Sequence, residues 1–228
     1  MKNDLKRYFL FCFATFCFTH HSTAQSYQNI QINYQTRFQQ QLLHLDSIYI
    51  VGTDTFQIQQ FKFYITGVEL KKNNKCVFKE KNSVHLINLM NPKSCTFSLK
   101  VNNEFKFDEI QFNLGIDSLT NSKGISVGSL DPTLGMYWAW HSGFINFKLE
   151  GKYNSKKFEF HLGGFRNGFY NMQTTKFLKQ HSSTINITFD LFEFLSTIDL
   201  EKTNRVMSPS RISVELAQKA IKNFLFVK

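Results

Sequence analysis

Apolar and polar residues alternate along most of this chain. Ile30, Ile32, Tyr34, Thr36 and Phe38 fall on one side of an extended backbone, and Gln31, Asn33, Gln35 and Arg37 on the other. A period of two marks a strand with one face in the core and one in water, as in antiparallel sheets. Phe61, Phe63 and Ile65 repeat the pattern. The apolar parity then changes at Gly67, after which Val68 and Leu70 carry the inward face. A glycine at such a switch predicts a β-bulge. Further strands are expected at Val84–Leu89, Phe97–Val101, Phe105–Leu114, Phe144–Leu149, Lys157–Leu162 and Thr184–Phe189, with a second change of parity at Asp108-Glu109. Helical spacing is confined chiefly to the C-terminus. There Ser208 is placed to cap, Pro209 to open the first turn, and Val214, Ala217, Ile221, Phe224 and Leu225 to form one apolar stripe. The predicted fold class is all-β: an antiparallel β-sandwich or open barrel with a short C-terminal helix.

Composition agrees with that reading. The chain has 228 residues, 26 of them phenylalanine, and is 16% aromatic and 19% charged. That is enough for one domain with a sizeable core and too aromatic for a disordered chain. Phenylalanine also favours strands over helices.

The N-terminus has the anatomy of a secretory signal peptide. Lys2, Lys6 and Arg7 precede an apolar run from Tyr8 to Phe18, and Ser22-Thr23-Ala24 supplies the small residues a signal peptidase reads. Cleavage is expected after Ala24, leaving one domain over residues 25–228 in the periplasm or outside the cell. The apolar run is too short to span a bilayer, and no later stretch has transmembrane character. Cys12 and Cys17 leave with the leader. Cys76 and Cys95 remain, and an even pair in an oxidising compartment predicts a disulfide. Losing three basic residues and one acidic residue takes the formal charge from +10 to +8. The lysines are scattered, in runs no longer than Lys71-Lys72 and Lys156-Lys157, and no Arg-rich helix is present. That argues against nucleic-acid binding.

Enzyme constellations are missing from the sequence. There is no Gly-x-Ser-x-Gly elbow, no phosphate-binding glycine loop and no His-Glu-x-x-His. Carboxylates are sparse; Glu150 and Glu159 flank an expected hairpin turn, where surface charges are common. The chain is read as a binding protein.

Candidate chemistry concentrates in two segments. Nine of the eleven glycines lie between Gly115 and Gly168, so this region holds tight turns. Inside it, both tryptophans fall in Gly135-Met136-Tyr137-Trp138-Ala139-Trp140-His141-Ser142-Gly143. As a strand, this segment would put Met136, Trp138 and Trp140 on one face and Tyr137, Ala139 and His141 on the other. The second segment is Phe158-Glu159-Phe160-His161-Leu162-Gly163-Gly164. Its phenylalanines and leucine alternate inward and leave His161 on the opposite face. Histidine and methionine beside aromatic rings suit a soft copper ion. The same pattern also suits tryptophans that fill a core beside a histidine bonded to a loop.

These pieces, taken in order, resemble the MbnP-like copper-binding family of secreted bacterial proteins. The likeness runs from Phe61-Lys62-Phe63-Tyr64-Ile65-Thr66 through Phe112-Asn113-Leu114-Gly115-Ile116-Asp117. It continues through the Gly135–Phe144 segment, Lys148-Leu149-Glu150-Gly151 and Phe160-His161-Leu162-Gly163-Gly164 to Arg205-Val206-Met207-Ser208. The resemblance implies a β-rich domain that binds copper through histidine and a tryptophan oxidised to kynurenine. It also implies a di-haem peroxidase-like partner enzyme linked to that oxidation. On this likeness His161 is a ligand and Trp138 or Trp140 is the modified residue, with His141 and Met136 as further candidates. Of the other histidines, His44, His85 and His181 remain. The sequence departs from the family in one respect: the residue two places from Trp138 is Trp140 instead of a histidine, and His141 directly follows a tryptophan. On a regular strand His141 would face away from Trp140 unless a bulge intervened. From other classes, two readings compete: a glycan-binding module using Trp138, Trp140 and Tyr170 as an exposed platform, and a structural domain of the cell envelope.

Overall fold

The computed structural model describes residues 26–141, 143–178 and 183–227. The expected leader, Ser142 and His181 lie outside the described residues. In chain order the strands are β1 (Tyr27–Phe38), β2 (Gln41–Leu42), β3 (Ile48–Val51), β4 (Asp54–Lys72), β5 (Lys75–Lys79), β6 (Val84–Asn88), β7 (Thr96–Asn102) and β8 (Glu109–Leu114). They continue as β9 (Tyr137–Trp138), β10 (Gly143–Tyr153), β11 (Lys156–Gly163), β12 (Gln173–Leu178), β13 (Thr184–Asp190), β14 (Arg205–Val206) and β15 (Phe224–Val227). Three helices interrupt them: α1 (Ser118–Lys123), α2 (Leu191–Ser196) and α3 (Arg211–Ile221).

The smaller sheet centres on β1, which pairs β13 and β7, with β15 outside β13 and β2 at the end of β1. The larger runs β12-β8-β4-β10-β11-β14, and β3, β5 and β6 also pair β4 along its length. It curls into an open half-barrel. Most pairings are antiparallel, as expected. Two are parallel, β1 with β13 and β11 with β14.

Phenylalanine fills the space between the sheets. Phe61 of β4 lies 5.2 Å, centroid to centroid, from Phe189 of β13, and Phe63 lies 5.5 Å from Phe224 of β15. Phe147 of β10 reaches Phe189 at 5.8 Å. These rings are fully or almost fully buried, and each such burial contributes about 1.5–3 kcal/mol. The expected bulge is present: the β4–β8 register shifts between Thr66 and Glu69, and Gly67 takes φ +59°. The parity change at Asp108-Glu109 has a simpler cause. Strand β8 begins at Glu109, so Phe105 and Phe107 precede it.

Three expectations are corrected. Helix α3 is capped by Ser210 rather than Ser208; the Ser210 hydroxyl accepts from the Ser213 amide at 3.2 Å. The helix ends at Ile221, so Phe224 and Leu225 belong to β15, which pairs β13. The buried helical face is Ser213, Leu216, Ala217, Ala220 and Ile221. Cys76 and Cys95 are free thiols, not a disulfide. Each is engaged locally: Cys76 Sγ donates to the Phe78 carbonyl on β5, and Cys95 Sγ to the Asn88 carbonyl at the end of β6. No helix among the described residues is long and apolar enough to cross a membrane.

Candidate metal centre

The glycine-rich stretch between β8 and β10 folds over the outer face of the larger sheet, away from the main core. Tyr64, Leu86, Ile116, Met136, Trp138, Phe144 and Ile145 form a second, smaller apolar cluster there. Polar contacts tie the covering loop to the sheet. Tyr64 Oη donates to the Ser129 carbonyl at 2.8 Å, Lys62 Nζ to the Leu134 carbonyl at 3.0 Å, and Lys148 Nζ to the Gly135 carbonyl at 3.4 Å. Lys62 and Lys148 are cross-strand partners. Burial, and then the neighbouring Lys148 ammonium, lower the Lys62 pKa.

The tryptophan segment leaves this loop as a short hairpin. Tyr137 pairs Phe144 and Trp138 pairs Gly143. The strand ends at Trp138, and the His141 amide donates back to the Trp138 carbonyl at 3.2 Å. The segment is thus a strand only as far as Trp138, and a turn follows it. That turn brings His141, which a strand would place on the opposite face, up to both tryptophans. Trp138 and Trp140 lie 5.8 Å apart, Trp138 and His141 6.2 Å, and Trp140 and His141 5.3 Å between ring centroids. Trp138 is 5% exposed and Trp140 66% exposed. Met136 is fully buried in the smaller cluster beside Trp138.

His161 lies on β11, and its side chain leaves the main core as predicted. The preceding turn sets its neighbours. Asn154 and Ser155 both have positive φ, the two-residue turn that suits a hairpin. The resulting register places His161 opposite Lys148 and Glu150 opposite Glu159. His161 thus lies diagonal to Glu150, within reach of long side chains. Its Nε2 lies 2.6 Å from Glu150 Oε1, and Lys148 Nζ lies 3.3 Å from the same oxygen. His161 is 7% exposed, and burial holds its pKa below the ordinary value despite the Glu150 contact. Burial pushes Glu150 the other way, but the His161 hydrogen bond and the Lys148 charge outweigh it and keep the carboxyl below its usual range.

Two features join the turn to His161. A Cβ built on Gly163 would lie 2.8 Å from Trp138 Cζ3 and 3.0 Å from Cη2, so the indole occupies that side-chain position. Gly163 is two residues from His161 on the same strand, hence on the same face. The second link is Lys148, whose ammonium bridges the Glu150 carboxylate and the carbonyl just before Met136. Beneath them lies a buried amide network. Asn121 Oδ1 accepts from the Phe144 amide and Asn146 Oδ1 from the Ile116 amide, each at 3.0 Å. Asn171 Nδ2 donates to Ser213 Oγ at 3.0 Å, and Ser213 Oγ in turn accepts from the Gly163 amide at 3.2 Å. Paired in this way, the buried polar groups fix the backbone under the site instead of destabilising it.

The MbnP family profile matches residues 27–208. The chain belongs to the MbnP family. MbnP from Methylosinus trichosporium has a similar fold, with a TM-score of 0.57 at 12% identity over 80% of this chain and 81% of that one. No curated protein matches by sequence.

In this MbnP-family chain, the residues singled out from sequence fall into two adjoining groups. Trp138, Trp140, His141 and Met136 belong to the covering hairpin, and His161 to the sheet beneath. The remaining described histidines lie elsewhere. His44 is exposed on the β2–β3 connection, and His85 of β6 bonds Glu80 at 2.9 Å and stacks on Phe97 at 3.6 Å. Among the described residues, no three His, Cys, Asp or Glu side chains cluster in a way that could hold a metal. Sequence reasoning set Glu150 aside as a surface charge near a hairpin turn and gave Lys148 no role at the site. Counting outward from the Asn154-Ser155 turn would have paired 148 with 161 and put Glu150 on the same face.

Proposed function

We propose that this protein is a secreted, periplasmic copper-binding protein of copper acquisition or homeostasis, and that it is not an enzyme. Membership of the MbnP family supports the copper-related role. The observation that carries the assignment to residues is the seat of the Trp138 indole on Gly163, two residues from His161 on one strand face. It supports the reading by setting the turn of Trp138, Trp140 and His141 against the strand that carries His161.

The donor types fit copper. Neutral imidazole and thioether are soft enough for it, and the region offers few of the carboxylates that calcium would need. His161 and His141 would supply imidazole nitrogen, and Met136, in the apolar cluster with Trp138, a thioether. An intact indole is a poor ligand, because its ring nitrogen carries a proton and only donates. Cleaving one indole across its C2–C3 bond, with dioxygen as oxidant and the C2 carbon leaving as formate after hydrolysis, would give kynurenine and an aniline nitrogen with a lone pair. The di-haem peroxidase-like partner is the enzyme proposed to drive that oxidation. Copper, when bound, supplies the cargo itself; the chain's part is to hold it out of bulk solvent. An aromatic platform for glycans is the weaker reading, because Trp138 is buried under its own turn.

Elemental analysis of protein purified from its own host envelope tests the reading. Copper is expected in the wild type and absent from a His161→Ala variant that keeps the wild-type fold by circular dichroism. Copper-free wild type, or equal copper in the variant, would overturn it.

A further inference from the structure

Glu150 stands in an unusual relation to His161. Two side chains diagonal across a hairpin normally meet loosely, yet here Nε2 and Oε1 are 2.6 Å apart. The carboxylate is not free to swing away. Its Oε1 also meets Lys148 Nζ at 3.3 Å, and that ammonium is tied to the Gly135 carbonyl of the covering loop. A carboxylate oxygen has lone pairs and no proton to give, so the ring nitrogen that faces it must be the protonated one. In the neutral ring the other nitrogen, Nδ1, keeps its lone pair, and it makes no hydrogen bond to any described residue.

We infer that Glu150 is the positioning residue of His161: it fixes the Nε2–H tautomer and ring orientation and leaves Nδ1 as the atom offered to copper. The last clause rests on the copper reading above; the tautomer does not. Carboxylate partners of this kind orient ligand histidines and raise the basicity of the free nitrogen. The pair His85–Glu80 has a similar bond on a different part of the sheet, where the ring lies flat on Phe97. It serves as an internal control.

The test uses the metal-free mature chain with nitrogen-15-labelled histidine and long-range proton–nitrogen correlation at neutral pH. His161 is expected to carry its proton on Nε2 in the wild type, a result that needs no variant. In Glu150→Ala, that tautomer signature should be lost while the His85 signals stay in place. Titration with copper alone should then give affinity about 10–100-fold weaker in Glu150→Ala. A wild-type proton on Nδ1, or an unchanged His161 pattern in Glu150→Ala, would overturn the positioning role. An unchanged copper affinity would overturn its link to metal. If His161→Ala binds copper as the wild type does, the copper reading of His161 fails and the metal clause falls with it, whereas the tautomer result is unaffected.

Discussion

The indole of Trp138 fills the space that a side chain on Gly163 would need: a Cβ there would lie 2.8 Å from Cζ3 and 2.5 Å from the Phe144 carbonyl oxygen. Real Cβ atoms do not approach other atoms so closely, so Gly163→Ala must displace the ring, the hairpin or both. Overpacking of this kind costs about 1–3 kcal/mol. In a Trp140→Phe background, which leaves Trp138 as the single fluorophore, Gly163→Ala should lower the urea midpoint and shift Trp138 emission to the red. A midpoint and spectrum matching the parent would show that Trp138 does not rest on Gly163.

The two cysteines of the mature domain should both be thiols. Cys76 is exposed on β5, and Cys95 is half-buried at the start of β7, where burial raises its pKa above the ordinary thiol value. Only the thiolate reacts readily, so a maleimide should modify Cys76 well before Cys95 in the folded protein. Denaturation without reductant should expose both to reagent. Finding neither labelled would restore the disulfide.

Much of this fold was legible in the sequence, and what was hidden shares a physical cause. Alternation in β1, β4, β10 and β11 reports which face is buried, because each strand's own side chains carry that information. The Gly67 bulge was legible for the same reason. Partner choice is different: the parallel pairing of β1 with β13 joins residues 153 apart in sequence at the Asn33–Asn186 contact. Nothing in either strand specifies it. Phe224-Leu225-Phe226-Val227 satisfies both a helical stripe and a strand, and the choice was made by the open edge of β13. At the site, the residue types were evident but not their assembly. His141 joins Trp138 and Trp140 because the strand ends in a turn at Trp138, a consequence of the covering loop that local alternation does not encode.

Acid should weaken the folded state through His161 and Glu150. Burial keeps His161 below the ordinary imidazole value of about 6.5. The unfolded chain therefore binds this proton more readily, and stability falls as pH drops through the folded-state pKa. Glu150 acts in the same direction at lower pH, because its folded carboxyl lies below the ordinary value of 4.5. The charges facing the pair are Lys148, Lys62 and Glu159, the last held by Arg205 at 3.3 Å. Urea midpoints of metal-free protein should decline from pH 7 to pH 5 and again below pH 4.5. His161→Gln should flatten the first decline. An identical slope in that variant would mean that other groups set it.

Of the two tryptophans, Trp138 is the one that oxidation in the native host should convert. It touches the site from two sides, with its ring on Gly163 beside His161 and 6.2 Å from the His141 ring. Trp140 contacts His141 but is 66% exposed, so a donor formed there would have water as its main neighbour and gain less from the enclosed histidine. Trp140 lies 5.8 Å from the buried Trp138 ring, tilted by 47°, and is the exposed ring through which an oxidant at the surface would reach it. The two roles make separate predictions. Peptide mass spectrometry of host-purified protein should find kynurenine at position 138 and intact tryptophan at position 140. Trp140→Phe should slow the conversion without abolishing copper binding once it is complete, whereas Trp138→Phe should abolish both. Kynurenine at 140 with Trp138 intact would reverse the roles, and two intact tryptophans in copper-loaded protein would show that histidine and thioether suffice.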